Sequence, residues 1–434
     1  MKLPRAGSTH EDVLSRMRQM RADDANWKEG RTFSLVYFAG DDVSALLKAA
    51  YTEFITENGL SPMAFPSLRR FEAEVLSICA DLFHGDAEVC GTMTSGGTES
   101  VLMAVKTARE WAKARGIAHP EIIVPTTIHP AFEKAAHYFD VKIHHAAIAE
   151  DFRVDLAAVE NLINPNTALL VGSAMPYPHG VIDPIAGLAA LALQHGTLCH
   201  VDACLGGFLL PFAKRAGRDI PPFDFEVPGV TSLSADLHKY GYAAKGASIV
   251  LYKTHALRKH QFFTYSEWPG GLYLSPSMTG TRPGGAIAAA WAILHYLGEE
   301  GYLQRVRVIL DTTQKLIDGI TAIPGLKLLG KPHGSVFAWN SDSVDVYQLG
   351  DAMEAKGWKL DRQQKPPALH CMVTPAHAQV VEPFLIDLRA CVASLKSGEP
   401  APEGSAAMYG MVGTVPKETT DGFLLDFLDG LYEA

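Results

Sequence analysis

Between residues 121 and 252 the sequence alternates short apolar runs with helical patterns, and this alternation limits the folds open to the chain. "EIIVP" (121–125), "KIHHAAI" (142–148), "TALLVGS" (167–173), "TLCHVD" (197–202), "VTSLSAD" (230–236) and "ASIVLY" (247–252) predict short strands buried on both faces. Helical spacing fills 99–114, 130–138, 155–163 and 184–195 between several of them. Parallel neighbours need crossovers of about this length, and the crossovers cover both faces of the sheet. "TSGGTES" (94–100) reads as a strand-to-helix turn and implies one more strand before it. The expectation is an α/β fold with a large domain built on a mostly parallel seven-stranded sheet.

The flanking regions read differently. Residues 1–40 are polar and irregular, an arm. From Asp42, Leu46, Leu47, Ala50, Tyr51, Phe54 and Ile55 recur at helical spacing up to Gly59. A second helix starts at "FPSLRRFEAEV", with Pro66 in its first turn. Beyond Gly280, helices are expected at 285–298, 301–320, 344–356 and 376–395, with short strands near 327–330, 334–339 and 369–374. That is the pattern of a smaller C-terminal α+β domain. "KSGEPAPEGSAA" (396–407) is a Gly/Pro/Ser loop before a last helix at 420–432. The expected division is 1–60 for the arm and its helix, 61–298 for the large domain and 299–434 for the small one.

Composition excludes several classes of function. Lys+Arg 38 against Asp+Glu 48 gives a net charge of −10, a poor basis for binding nucleic acid. Apolar runs such as "GAIAAAWAIL" (285–294) are too short to span a bilayer. The N-terminus is charged throughout and lacks the apolar centre of a signal peptide. The six cysteines show no CxxC and no metal-like spacing, as expected of reduced thiols in a cytoplasmic protein.

Ligands of open α/β sheets bind at the carboxyl ends of strands. Three such ends carry unusual residues. In "TSGGTES", Gly96 and Gly97 allow close backbone approach, and Thr98 sits where a helix N-terminus favours a phosphate. In "CHVDACLGG" (199–207), Asp202 ends a buried strand and needs a positive partner, for which a pyridinium N–H would serve. In "SLSADLHKYGYAAKG" (232–246), Lys239 follows a strand end, where a partly desolvated lysine can form a Schiff base. Taken singly, these are a glycine turn, a turn-capping Asp and a surface lysine. In this order they make a pyridoxal phosphate (PLP) site. His129, before a helix in "TTIHPAFEKAAHYF", could stack on a flat ring.

On these stretches the chain resembles the fold-type I PLP enzymes of the group II decarboxylase superfamily, and within it the sphingosine-1-phosphate lyases. The similarity starts near Tyr37 and includes "HKYGYAAKG", "GLYLSPS", "GTRPGG" and the late "AAMYGMVGTV". The resemblance implies that Lys239 holds PLP covalently, Asp202 pairs with the ring nitrogen, His129 stacks on one ring face and Cys204 lies against the other. It implies a phosphate site of Gly97, Thr98 and His238, completed by Gly280 and Thr281 of a partner subunit. The protein would then be a homodimer with its active site at the interface, the arm contributing dimer contacts. Tyr177 matches an active-site tyrosine that could act as base, as could the freed Lys239. Lys245 and Tyr37 match residues near the substrate phosphate. One departure stands in "NGLSP", where Ser61 replaces a histidine common in eukaryotic lyases.

The implied activity is retro-aldol cleavage of phosphorylated sphingoid bases to a fatty aldehyde and phosphoethanolamine, by an enzyme without the eukaryotic membrane anchor. A PLP-dependent amino-acid decarboxylase shares the cofactor residues and is the alternative. A third reading is a scaffold of this fold that binds lipid without chemistry; intact Lys239, Asp202 and His129 argue against it.

Overall fold

In the computed structural model, which describes residues 2–25, 27–412 and 415–432, the alternation folds as one sheet of seven strands. They are β1 (Cys90–Thr94), β2 (Glu121–Pro125), β3 (Lys142–Ala146), β4 (Thr167–Ser173), β5 (Leu198–Asp202), β6 (Ser232–Ala235) and β7 (Ser248–Tyr252). Their order is β1-β7-β6-β5-β4-β2-β3. Pairing is parallel from β6 through β5, β4 and β2 to β3, and β7 runs antiparallel to both β6 and β1. Six strands therefore point the same way, and their carboxyl ends share one edge. β1, β2, β4, β5, β6 and β7 are buried throughout, as unbroken apolar runs require. Only the edge strand β3 is partly exposed; its "KIHHA" carries polar residues on both faces.

Helices cover both faces. Pro66 occupies the first turn of the helix Pro66–Leu82, where its missing N–H is not needed. The helix Gly97–Lys113 buries Val101, Leu102, Val105 and Ala108 against the sheet. The helix Gly284–Thr321 is interrupted at Gly298, whose φ of 54° lies in the left-handed region that glycine adopts freely. That break matches the gap expected between 298 and 301.

β8 (Phe263–Tyr265) and β9 (Tyr273–Ser275) form a separate two-stranded hairpin. The C-terminal region holds an antiparallel sheet of β10 (Leu326–Leu329), β11 (Val336–Ser341), β12 (Asp361–Gln364) and β13 (Pro367–Met372), in the order β10-β11-β13-β12. Asp345 caps the helix Val346–Ala355 by accepting from the amides of Tyr347 and Gln348.

Two local expectations are corrected. The arm is not irregular throughout: His10–Met20 is helical, capped by Thr9, with Val13, Leu14, Met17 and Met20 at helical spacing but no residue buried. Strand β12 was missed because "DRQQ" has no apolar alternation. Around Thr32 and Phe33 the arm joins the C-terminal sheet of its own chain. The Phe33 amide donates to Lys359 O at 3.0 Å, the Met372 amide donates to Phe33 O at 2.9 Å, and the fully buried Phe33 ring packs on Trp358, His377 and Phe384. Among the described residues no helix is long and apolar enough to cross a membrane. In the run "AAMYGMVGTV", Gly413 and Thr414 lie outside the described residues.

Candidate active site

A cavity of about 400 Å³ opens at the shared carboxyl edge, lined by the turns after β1, β2, β4, β5 and β6. It brings together Gly97, Thr98, His129, Tyr177, Asp202, Cys204, His238 and Lys239, residues that span more than 140 positions of sequence.

The turn after β1 is held by a carboxylate that sequence reading passed over. One oxygen of Glu99 accepts from the Ser95 amide at 2.6 Å and the Ser95 hydroxyl at 2.7 Å. The other accepts from the Met278 amide at 2.9 Å. The Ser-x-x-x-Glu spacing at a helix start was the available signal. The first amides of the helix then face the cavity, with the positive end of its dipole. At Gly97 a Cβ would lie 2.8 and 3.0 Å from the Asp236 oxygens and 3.0 Å from Cys204 Sγ. Close approach, not backbone angle, demands glycine there.

After β5, Asp202 accepts from the Cys204 amide at 3.0 Å and from Ser234 Oγ at 3.4 Å. Both bonds fall on Oδ1, which leaves Oδ2 for a donor in the cavity. Beneath it, His200 is bound by Ser232 and Ser234, and burial lowers its pKa to about 4, so it is neutral. Burial also raises the Cys204 thiol well above its ordinary value, helped by Asp202 and Asp236. It stays protonated.

After β6, Lys239 Nζ lies 2.9 Å from Asp236 Oδ2, and the Asp236 side chain is only 1% exposed. Burial alone would raise the carboxyl, but Lys239 and His238 hold it below the ordinary carboxylate range. For Lys239, burial opposes the charge, and Asp236, Cys204 and Asp202 override it, so the ammonium is favoured. His238 Nδ1 accepts from the Ala247 amide at 3.3 Å, which leaves the proton on Nε2, 3.7 Å from Asp236. His129 stands exposed at the mouth, its Nδ1 accepting from the Ala131 amide at 3.1 Å.

The remaining residues fall outside this group or differ from expectation. The Tyr177 hydroxyl donates to Asp361 on β12, which also accepts from Ser34 Oγ at 3.2 Å. Burial, reinforced by the Asp361 carboxylate, raises the Tyr177 pKa far above its ordinary value. In this geometry the Tyr177 hydroxyl is engaged as a hydrogen-bond donor. Its ring stacks on His370 at 4.0 Å. Lys245 lies off the cavity, donating to Leu35 O at 3.2 Å and His238 O at 3.3 Å, with its ammonium 5.0 Å from the Tyr37 ring centre. Tyr37 itself is directed to Met372 Sδ at 2.8 Å. Gly280 and Thr281 are exposed and do not line their own chain's cavity. Asn58 donates to Thr281 Oγ1 at 3.3 Å, and Ser61 is exposed in the loop that Asn58 begins.

The family described as "Pyridoxal-dependent decarboxylase conserved domain" matches residues 2–336. A sphingosine-1-phosphate lyase of Oryza sativa is 44% identical over 99% of this chain and 81% of its own length. The sphingosine-1-phosphate lyase 1 of Rattus norvegicus is 44% identical over 99% of this chain and 77% of its own. The structure of a Burkholderia pseudomallei sphingosine-1-phosphate lyase superposes with a TM-score of 0.93 at 38% identity, covering 100% of this chain and 97% of that one. A Lactobacillus brevis glutamate decarboxylase, 21% identical with a TM-score of 0.80, covers 91% of this chain and 95% of its own and shares the fold.

Proposed function

We propose, for a chain that belongs to the sphingosine-1-phosphate lyase family, that it cleaves phosphorylated sphingoid bases between C2 and C3, giving a long-chain aldehyde and phosphoethanolamine. Its cofactor is pyridoxal phosphate. The residues present fit that group: an amine for its aldehyde, a carboxylate with a free oxygen for its ring nitrogen, and a helix N-terminus stripped of Cβ for its phosphate, all around one cavity. Bound there, pyridoxal phosphate supplies an electron sink for the pair released when C2–C3 breaks.

The observation that carries the reading is the second lysine. Lys239 faces the cavity, while Lys245, off the cavity, is preset on two carbonyls beside Tyr37 as a further positive charge. A substrate with its own phosphate calls for a second cation, whereas an amino acid's carboxylate is lost in decarboxylation. Asp202 would hold the cofactor at its ring nitrogen and favour the protonated form, and His129 and Cys204 would hold its ring from either side. Gly97, Thr98 and His238 would hold the cofactor phosphate. Lys239 would carry the cofactor and, as a free amine, would take the proton of the substrate's C3 hydroxyl, which Tyr177, its own position fixed by Asp361, would orient.

Gly280 and Thr281 complete the phosphate site of a second copy in a homodimer. The hairpin leading to them supports this: Phe263, Trp268, Leu272 and Leu274 are all exposed on it in the single chain, an apolar cluster of the kind that marks an interface. We divide the chain into the arm and its helix (1–60), a cofactor-binding part (61–298) and a small part (299–434). The last two correspond to the two large sheets. Six free, buried cysteines suit the cytoplasm.

The test is incubation of the cofactor-loaded protein with a phosphorylated sphingoid base, with the aldehyde captured as a hydrazone. Aldehyde from the phosphorylated base and none from its dephosphorylated form is expected. Carbon dioxide from an amino acid, without aldehyde, would establish the decarboxylase reading.

A further inference from the structure

We infer that Asp236 is a positioning residue for Lys239, holding its amine as an ammonium along the cavity floor so that the cofactor-free chain does not react with stray carbonyl compounds. This rests on the reading of Lys239 as the residue that carries the cofactor.

The geometry leaves the carboxylate one close cation. Its side chain is 1% exposed, Oδ2 receives Lys239 Nζ at 2.9 Å, and Oδ1 has no hydrogen-bond partner. His238 Nε2 stands off at 3.7 Å. Lys245 is engaged by the carbonyls of Leu35 and His238. The other groups facing the pair are Asp202 and Cys204 after β5, Tyr37 of the arm, Tyr240 beside Lys239 and the Ser248 hydroxyl of β7, none of them a competing cation. The backbone of Gly97 closes the remaining side. A neutral lysine would therefore leave a buried carboxylate unpaired, which is costly.

An ammonium has no lone pair and cannot add to a carbonyl. For reaction the proton must leave nitrogen, and Asp236 is placed to accept it, giving a neutral acid and a neutral amine. The amine nitrogen then bonds to the carbonyl carbon, and the carbonyl oxygen departs as water. A site whose proposed product is an aldehyde has reason to make that proton transfer conditional on a bound, correctly placed cofactor.

The experiment is competitive labelling of the full-length, cofactor-free protein with acetic anhydride from about pH 7 to 11, read at the Lys239 peptide by mass spectrometry. In the wild type the Lys239 midpoint should lie above that of the chain's exposed lysines. Asp236→Asn should lower it by at least about one unit, labelling Lys239 about tenfold faster at pH 9. Asp236→Glu should restore part of the shift. A midpoint unmoved by Asp236→Asn would overturn the inference. If that variant fails to fold by circular dichroism, the wild-type profile decides: a midpoint at or below the exposed lysines overturns it. Borohydride trapping of added pyridoxal phosphate separates the two readings. No adduct at Lys239 would sink the cofactor assignment while leaving the labelling profile as it is.

Discussion

Two adjacent glycines in one turn should respond very differently to a single added methyl group. At Gly97 the new Cβ would lie 2.8 to 3.0 Å from Asp236 Oδ2, Asp236 Oδ1 and Cys204 Sγ, against about 3.4 Å for ordinary contact. Neither neighbour yields easily. Asp236 is buried and paired with Lys239, and Cys204 is buried beside Ser234. Overpacking of this kind costs about 1–3 kcal/mol. If the helix start moves outward to relieve it, its amides leave the position suited to a phosphate. At about 1.4 kcal/mol per tenfold, the cofactor should bind roughly 5- to 150-fold more weakly in Gly97→Ala. Gly96→Ala meets only His238 Cε1, at 3.3 Å, and its φ of 165° is extended backbone open to any residue. It should stay within about threefold of wild type. Absorbance titration of the cofactor-free proteins, with melting temperatures in parallel, reads both. Equal affinities for the two variants would refute the argument that close packing of Gly97 shapes the phosphate turn.

Three further outcomes follow from the same geometry. Lys245→Ala should retain the bound-cofactor absorbance and lose substrate affinity by about tenfold or more in KM, the scale of one charge-assisted contact; unchanged KM would remove its phosphate role. With the Tyr177 hydroxyl given to Asp361 and its pKa driven up, the rate profile should show no basic limb that disappears in Tyr177→Phe; such a limb would restore Tyr177 as base. His179, His200, His370 and His377 are buried, with pKa values lowered by burial to about 4. Unfolding lets each take up a proton, so their contribution is complete above the unfolded value of about 6.5 and is lost as pH falls toward 4. Buried Asp183, raised to about 6, opposes this, because its contribution is lost as pH rises through 6. Four groups against one should make the melting temperature fall from pH 6.5 to 4; a flat profile there would contradict the burial of these imidazoles.

The sheet was legible because its central strands are apolar runs bounded by turns, and the cofactor residues because each ends such a run. Lys239, Asp202 and Gly97 stand at carboxyl ends that parallel topology must bring to one edge. What the sequence hid lies where polar residues do structural work at long range. Asp361 sits on a four-residue polar edge strand, 184 positions from the Tyr177 hydroxyl it binds. Glu99 reads as an ordinary helix-start acid, yet it joins the turn at Ser95 to Met278, 179 positions on. Asp236 was visible beside His238 and Lys239, but its burial and its single cation are tertiary facts. The helix His10–Met20 buries nothing in its own chain, and its signals were the Thr9 cap and the short stripe of Val13, Leu14, Met17 and Met20 among charged residues. Lys245 follows the same logic: its spacing from Lys239 drew attention, but the carbonyls that hold it come from Leu35 and His238.

Carbon bookkeeping on a single reaction tests the central claim most directly. The cofactor-loaded protein is given a phosphorylated sphingoid base, and aldehyde, phosphoethanolamine and carbon dioxide are measured together, with a parallel panel of amino acids. Cleavage between C2 and C3 predicts aldehyde and phosphoethanolamine in equal amounts, no carbon dioxide, and silence from the amino acids. Carbon dioxide from any amino acid, with the sphingoid base returned intact, would contradict it.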